Sequence, residues 1–182
     1  MIEVEIRAKI KDINFIKEHL DLIDAQFVNN IEQVDRIFGH SKFLDKDTKI
    51  IEGGLSARIR QVNDTSKLEF KEIIRNGGGF EIEAKLDNTD SGIELLEKLG
   101  FKEAFTISKI RDVYKFNDFE IAIDQVKHLG NFIEIEKMVS LKEEINKARE
   151  DCLELLGQIS SKAEITDEKY GDMMQNIINK EQ

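Results

Sequence analysis

An α+β protein, an antiparallel sheet with helices covering one side, is the fold class that this sequence predicts, and three observations predict it. Six short segments alternate charged and apolar residues with period two. Between and after them lie stretches whose apolar residues recur at helical spacing behind capping residues. The order of these elements is then repeated in the second half of the chain.

Glu3-Val4-Glu5-Ile6-Arg7-Ala8-Lys9-Ile10 is the first alternating segment. As a strand it sets Glu3, Glu5, Arg7 and Lys9 on one face and Val4, Ile6, Ala8 and Ile10 on the other. Asp12 caps a helix with Ile13, Ile16, Leu20 and Ile23 on one side. Alternation returns at Arg58-Ile59-Arg60, Lys67-Leu68-Glu69-Phe70-Lys71 and Glu81-Ile82-Glu83-Ala84-Lys85, with Gly77-Gly78-Gly79 as the turn before the last of these. Ser91 with Glu94 forms a capping-box pattern before Ile93, Leu96 and Leu99, and Gly100 stops that helix. Lys109-Ile110-Arg111, then Asp124, then Glu134-Ile135-Glu136 complete the charged faces. Ser140 with Glu143 repeats the capping device and Gly157 closes the third helix. A last helix is expected from about Asp167, with Tyr170, Met173, Met174, Ile177 and Ile178 turned to the body.

The halves match element for element. Glu3-x-Glu5 corresponds to Glu81-x-Glu83, and Glu69-x-Lys71 to Glu134-x-Glu136. A strand-helix-strand-strand repeat also arises without duplication. If the repeat is real, two half-sheets face each other, helices cover their apolar sides and the charged sides line a shared tunnel. A merely solvated sheet face would carry Thr and aromatic residues, whereas Thr and Ser are nearly absent here.

The chain has 182 residues, which suits one domain, 1–182, and no Gly-, Ser- or Pro-rich run marks a linker. A formal net charge of −10 argues against nucleic acid or an anionic membrane as partner. No leader-like segment and no apolar stretch of about 20 residues is seen, so a soluble, cytoplasmic protein is expected. Cys152 is the single cysteine; it falls on the stripe Leu141, Ile145, Ala148, Cys152, Leu155 and reads as a buried helix position. His19, His40 and His128 lack ligand spacing. Arg and Lys beside paired carboxylates is the chemistry that holds a polyphosphate with its divalent metal.

Those residues resemble the CYTH family, the triphosphate tunnel metalloenzymes, which include class IV adenylate cyclases and thiamine triphosphatases. The resemblance runs through Glu3-Val4-Glu5-Ile6-Arg7, Leu55-Ser56-Ala57-Arg58-Ile59-Arg60, Leu68-Glu69-Phe70-Lys71, Phe80-Glu81-Ile82-Glu83, Lys109-Ile110-Arg111 and Ile123-Asp124-Gln125-Val126. Its nearest stretch, Leu129-Gly130-Asn131-Phe132-Ile133-Glu134-Ile135-Glu136, is similar to the class IV cyclase branch, as is the segment before Tyr170, where Lys169 replaces a Ser. The resemblance implies a closed antiparallel β-barrel with a charged interior and outer helices. It implies Mg²⁺ or Mn²⁺ held by Glu3, Glu5, Glu134 and Glu136, with Glu83 and Asp124 completing the shell. Phosphate oxygens would fall to Arg7, Lys9, Arg58, Arg60, Lys71, Lys85, Lys109 and Arg111, with Lys71, Lys109 and Arg111 acting on the reacting phosphate.

The implied activity is conversion of ATP to cyclic AMP and pyrophosphate. Hydrolysis of another triphosphate, inorganic or thiamine-linked, and binding of nucleotide or polyphosphate without turnover are the alternatives, and a homodimer is compatible with either enzyme. Three departures from the family pattern stand out. Arg7 takes the place of a Lys, and a guanidinium stays protonated, so no base is expected there. Glu69 takes the place of a small hydroxyl residue, and Gly39 to Gly54 lacks the usual acidic, aromatic stretch.

Overall fold

Charged-apolar alternation becomes strand β1, Ile2–Ile10, in which Val4, Ile6, Ala8 and Ile10 are buried while Glu3 and Lys9 stay exposed. The computed structural model describes residues 2–45, 50–73 and 80–181; Gly77-Gly78-Gly79 lies outside them. Helix α1, Ile13–Leu22, starts where expected, the Asp12 carboxylate accepting from the backbone N–H groups of Asn14 and Phe15. Next come β2 (Gln26–His40), β3 (Leu55–Val62), β4 (Thr65–Glu72), β5 (Glu81–Leu86), α2 (Thr89–Lys98), β6 (Phe101–Phe116), β7 (Phe119–Val126) and β8 (Gly130–Val139). Helix α3 (Ile145–Ile159), the two-residue strand β9 (Glu164–Ile165) and α4 (Tyr170–Glu181) follow. All pairings with a described register are antiparallel, so the α+β antiparallel class stands. No helix among the described residues is long and apolar enough to cross a membrane.

Two compact units divide the chain, the first running to Ile31 and resuming over Lys109–Lys169, the second comprising Glu32–Ser108 and Tyr170 onward. In the first, β7 pairs with β6 and β8, β8 with β1, and β1 with β9. Ile6, Ala8, Ile121, Ile123, Ile133 and Ile135 form one apolar face, covered by Ile16 and Leu20 of α1 and by Cys152, Leu155, Leu156 and Ile159 of α3. Each large aliphatic side chain so removed from water contributes on the order of 1.5–3 kcal/mol. In the second unit β3 pairs with β2 and β4, and β4 with β5. Its core gathers Phe38, Ala57, Ile59, Leu96 and Phe101.

The repeat is therefore interleaved: β1 and α1 of the first half join β6, β7 and β8 of the second, while β5 and α2 of the second join β2, β3 and β4 of the first. Register refines the correspondence. Glu5 stands opposite Glu136 and Glu83 opposite Glu69, so Glu69 matches Glu136, two residues from the match read in the sequence.

Four local expectations are corrected. Asn88, not Ser91, caps α2: its side-chain oxygen accepts from the Ser91 N–H at 3.0 Å, and the earlier start sets Gly92 against Leu86, where a Cβ would lie 2.7 Å from Cδ1. The start of α3 is tied by Glu144, which accepts from the N–H groups of Ser140 (3.1 Å) and Leu141 (2.9 Å), and Leu141 itself is 58% exposed. Gly157 does not end α3, which continues so that Ile159 is fully buried. Helix α4 begins at Tyr170 because β9 and the bond from Thr166 N–H to the Arg7 carbonyl (2.9 Å) hold the preceding segment to β1. Gly100, with φ +88°, does end α2; a Cβ there would come within 2.9 Å of His40 Nε2. Tyr170 is buried as expected.

Candidate active site

Pleating in the first unit puts Lys109 and Arg111 of β6, Glu120 and Asp124 of β7, Glu134 and Glu136 of β8, and Glu3, Glu5, Arg7 and Lys9 of β1 on the face opposite its apolar core. The registers arrange them in cross-strand rows. One row reads Arg111–Asp124–Phe132–Lys9, the next Val113–Ala122–Glu134–Arg7, and the third Lys115–Glu120–Glu136–Glu5. The third row holds three carboxylates side by side across the sheet, and like charges directly opposite each other are destabilising.

Asp124 is fully buried and ion-paired twice. Arg111 grips it bidentately, Nε to Oδ1 and Nη2 to Oδ2, each at 2.6 Å, and Lys109 Nζ donates to Oδ2 at 2.9 Å. Burial alone would raise the Asp124 carboxyl, but these cations outweigh it and hold the group below the usual range. Burial has the opposite consequence for Lys109, pulling its ammonium down despite Asp124. Glu134 accepts from Arg7 Nε at 2.5 Å and also pairs with Arg111 Nη2. Arg7 reaches on to Glu5 Oε1 at 2.6 Å and to the Glu168 carbonyl at 2.9 Å. In this structure the guanidinium at position 7 thus orders two carboxylates and the segment leading to α4.

Glu136 is the exception to charge balance. Burial, then the charges of Glu3, Glu120 and Glu5, push its carboxyl up to about 7. Burial and Glu134 raise Glu5 as well. Six carboxylates on this face, Glu3, Glu5, Glu120, Asp124, Glu134 and Glu136, meet the five cations Arg7, Lys9, Lys109, Arg111 and Lys115. Carboxylates that repel one another are of the donor type a hard divalent cation takes, but the oxygens of Glu3, Glu5, Glu134 and Glu136 are not gathered here: among the described residues the three-acid group with oxygens within 4.8 Å of one another is Glu69, Glu81 and Glu83.

Arg58, Arg60, Lys71, Glu83 and Lys85 fall in the second unit. Its charged face has the rows Asp35–Arg60–Lys67–Lys85 and Ile37–Arg58–Glu69–Glu83, beside Ser56–Lys71–Glu81. Arg60 grips Asp35 with two bonds of 2.8 Å, and Arg58 Nε donates to Glu69 at 2.6 Å. Both carboxyls are buried, which would raise them, yet the arginines hold both below the usual range. Glu83, expected as a metal ligand alongside Glu3 and Glu134, shares a group with Glu69 and Glu81: one oxygen from each lies within 4.8 Å of the others.

Sequence reading missed Glu120 and Asp35. Both were legible in principle, since Glu120 shares the parity of Asp124 on one strand and Asp35 that of Gln33. Cys152 is buried in the α3 stripe, as expected, and desolvation pushes its thiol up to about 11.

A family model for the CYTH domain matches residues 1–170, and the chain belongs to the CYTH family. A Methanocaldococcus jannaschii protein bearing the name "Putative adenylate cyclase MJ0240" is 34% identical over 172 residues, covering 93% of this chain and 97% of that protein. The solved structure of the PH1819 protein from Pyrococcus horikoshii superposes with a TM-score of 0.74 at 26% identity, over 97% of this chain and 99% of that one. HpAC1 from Hippeastrum, described as an adenylyl cyclase candidate with a dominant triphosphatase activity, shares the fold at a TM-score of 0.64 and 16% identity, over 96% of each chain.

Proposed function

We propose that this protein is a metal-dependent enzyme that processes a triphosphate as a single domain over residues 1–182, and that its reaction is the class IV cyclase one, ATP to cyclic AMP and pyrophosphate. The observation that carries the metal-dependent reading is the row Glu120–Glu136–Glu5 with Glu3 and Glu134 beside it, crowded enough to push Glu136 up to about 7. The cyclase reading is supported by the M. jannaschii relative and by Leu129-Gly130-x-Phe132-x-Glu134-x-Glu136.

Glu3, Glu5, Glu134 and Glu136, completed by Asp124, would hold Mg²⁺ or Mn²⁺, which when bound neutralises phosphate oxygens and the leaving pyrophosphate. Glu83, a family-implied ligand, bonds Lys67 at 2.9 Å. Arg111, held in a fixed plane by Asp124, offers a preorganised guanidinium to charge developing on phosphorus; Lys109, drawn down by burial, adds a positive group that costs little to desolvate further. Arg7 orients Glu5 and Glu134. Lys9, Arg58, Arg60, Lys71 and Lys85 are proposed phosphate-binding residues on the family resemblance. In the cyclase reaction the ribose 3′-oxygen bonds to the α-phosphorus as the bond to the bridging oxygen of pyrophosphate breaks, and the 3′-hydroxyl proton passes to water. Arg7, permanently protonated, takes no part in that transfer.

Hydrolysis is the second reading, favoured by the triphosphatase activity described for HpAC1. Chromatography of the products from ATP, tripolyphosphate and thiamine triphosphate, each with Mg²⁺ or Mn²⁺, separates them. Cyclic AMP and pyrophosphate from ATP are expected. Orthophosphate from tripolyphosphate with no cyclic AMP would replace the cyclase reading by the hydrolase one, and no product from any substrate would leave a binding module.

A further inference from the structure

The two units carry the same register pattern with one change of sign. In the first, β1 and β8 present Glu3, Glu5, Glu134 and Glu136, with Glu5 opposite Glu136 and Arg7 opposite Glu134. In the second, β5 and β4 present Glu81, Glu83, Lys67 and Glu69, with Glu83 opposite Glu69 and Lys85 opposite Lys67. Lys67 therefore occupies the position of Glu134.

Its ammonium bridges two of the three carboxylates, Glu69 and Glu83, while Lys71 stands opposite the third, Glu81. Nζ lies 3.0 Å from Glu69 Oε1 and donates to Glu83 Oε1 at 2.9 Å. Glu69 is 2% exposed, and its Oε1 accepts no directed hydrogen bond, so Lys67 there acts as a charge rather than as an aimed donor. The other Glu69 oxygen is held by Arg58, and Arg60 Nη1 stands 3.6 Å from Oε1. One oxygen from each of Glu69, Glu81 and Glu83 falls within a 4.8 Å group, the spacing of donors around one cation.

We infer that Lys67 is a built-in cation that closes the Glu69–Glu81–Glu83 group to divalent metal and thereby limits how many such ions the protein binds. A divalent ion and an ammonium compete for the same oxygens, and the tethered one is present at a fixed high local concentration. Replacing it by a carboxylate would restore the four-acid pattern of the first unit. The inference rests on the proposed metal-dependent function only for the ion assigned to Glu3, Glu5, Glu134 and Glu136; the second group is tested by difference.

Mn²⁺ binding, counted by electron paramagnetic resonance of the free ion and by calorimetry, tests it on the full chain. Lys67→Glu, and more weakly Lys67→Gln, should bind one Mn²⁺ more than the wild type, and Lys67→Glu combined with Glu83→Gln should return to the wild-type count. A folded Lys67→Glu protein, checked by circular dichroism, with an unchanged count would overturn the inference. If Lys67→Glu does not fold, Glu83→Gln in the wild-type background decides: an unchanged count is expected, and loss of one Mn²⁺ would show that the group already holds metal. Glu136→Gln tests the other ion separately, since it should lower the count of the wild type and of Lys67→Glu alike.

Discussion

Replacing Glu136 by Gln in metal-free protein should stabilise the fold at pH 8 and do little at pH 4.5. The carboxyl rises from its ordinary 4.5 to about 7, through burial first and then Glu3, Glu120 and Glu5. Between those two values the folded chain keeps a proton that the unfolded chain has lost, so folding is favoured at low pH and loses stability as pH climbs through 7. At about 1.4 kcal/mol per tenfold change, the rise corresponds to about 3 kcal/mol, and solvent screening of this partly buried group reduces that to about 1–2 kcal/mol. Urea denaturation of wild type and Glu136→Gln at both pH values in a chelator measures it. Saturating Mn²⁺ at pH 8 should reverse the order, because only the wild type gains full binding energy in the native state. A difference that is absent at pH 8, or the same at both pH values, would refute the crowding argument.

Arg111→Ala and Arg60→Ala should each lower turnover by about 10²–10³-fold, measured on whichever triphosphate proves to be the substrate, while Lys11→Ala, at an exposed side chain, should not; equal small effects at all three would reduce the arginines to surface charge. Native Cys152, with its thiol pushed up to about 11 and buried, should resist iodoacetamide at pH 8 until the chain is unfolded. Asp12→Ala removes two accepted N–H bonds at the start of α1 and should cost about 1 kcal/mol in urea denaturation.

Sequence patterning was most legible where one physical rule acts alone. Strand β1 needed only parity, and α1 only helical spacing plus one cap. Element ends were less so, because the competing signals are settled by packing: Asn88 and Ser91 are both capping residues, and Gly92 against Leu86 chooses between them. Asp167 could open a helix, but the contacts of Thr166 and Glu168 with Arg7 hold that stretch on β1, and those partners lie more than a hundred residues away. The charged faces were legible as lists and not as groupings. Nothing local says that Glu83 keeps company with Glu69 and Lys67; that follows from the register of β4 on β5.

The interleaving of the halves has a consequence for any attempt to take the protein apart. A chain divided between β4 and β5 leaves Ile6, Ala8, Ile16 and Leu20 on one fragment and Ile133, Ile135, Leu155 and Leu156, which they pack with, on the other. It also strands Leu96 from Phe38 and Ile59. Each piece would be born with half of two cores and the whole of neither. The halves are obligate to each other: mixed, the fragments have a reason to complement, and alone each is a candidate for aggregation rather than a minimal domain.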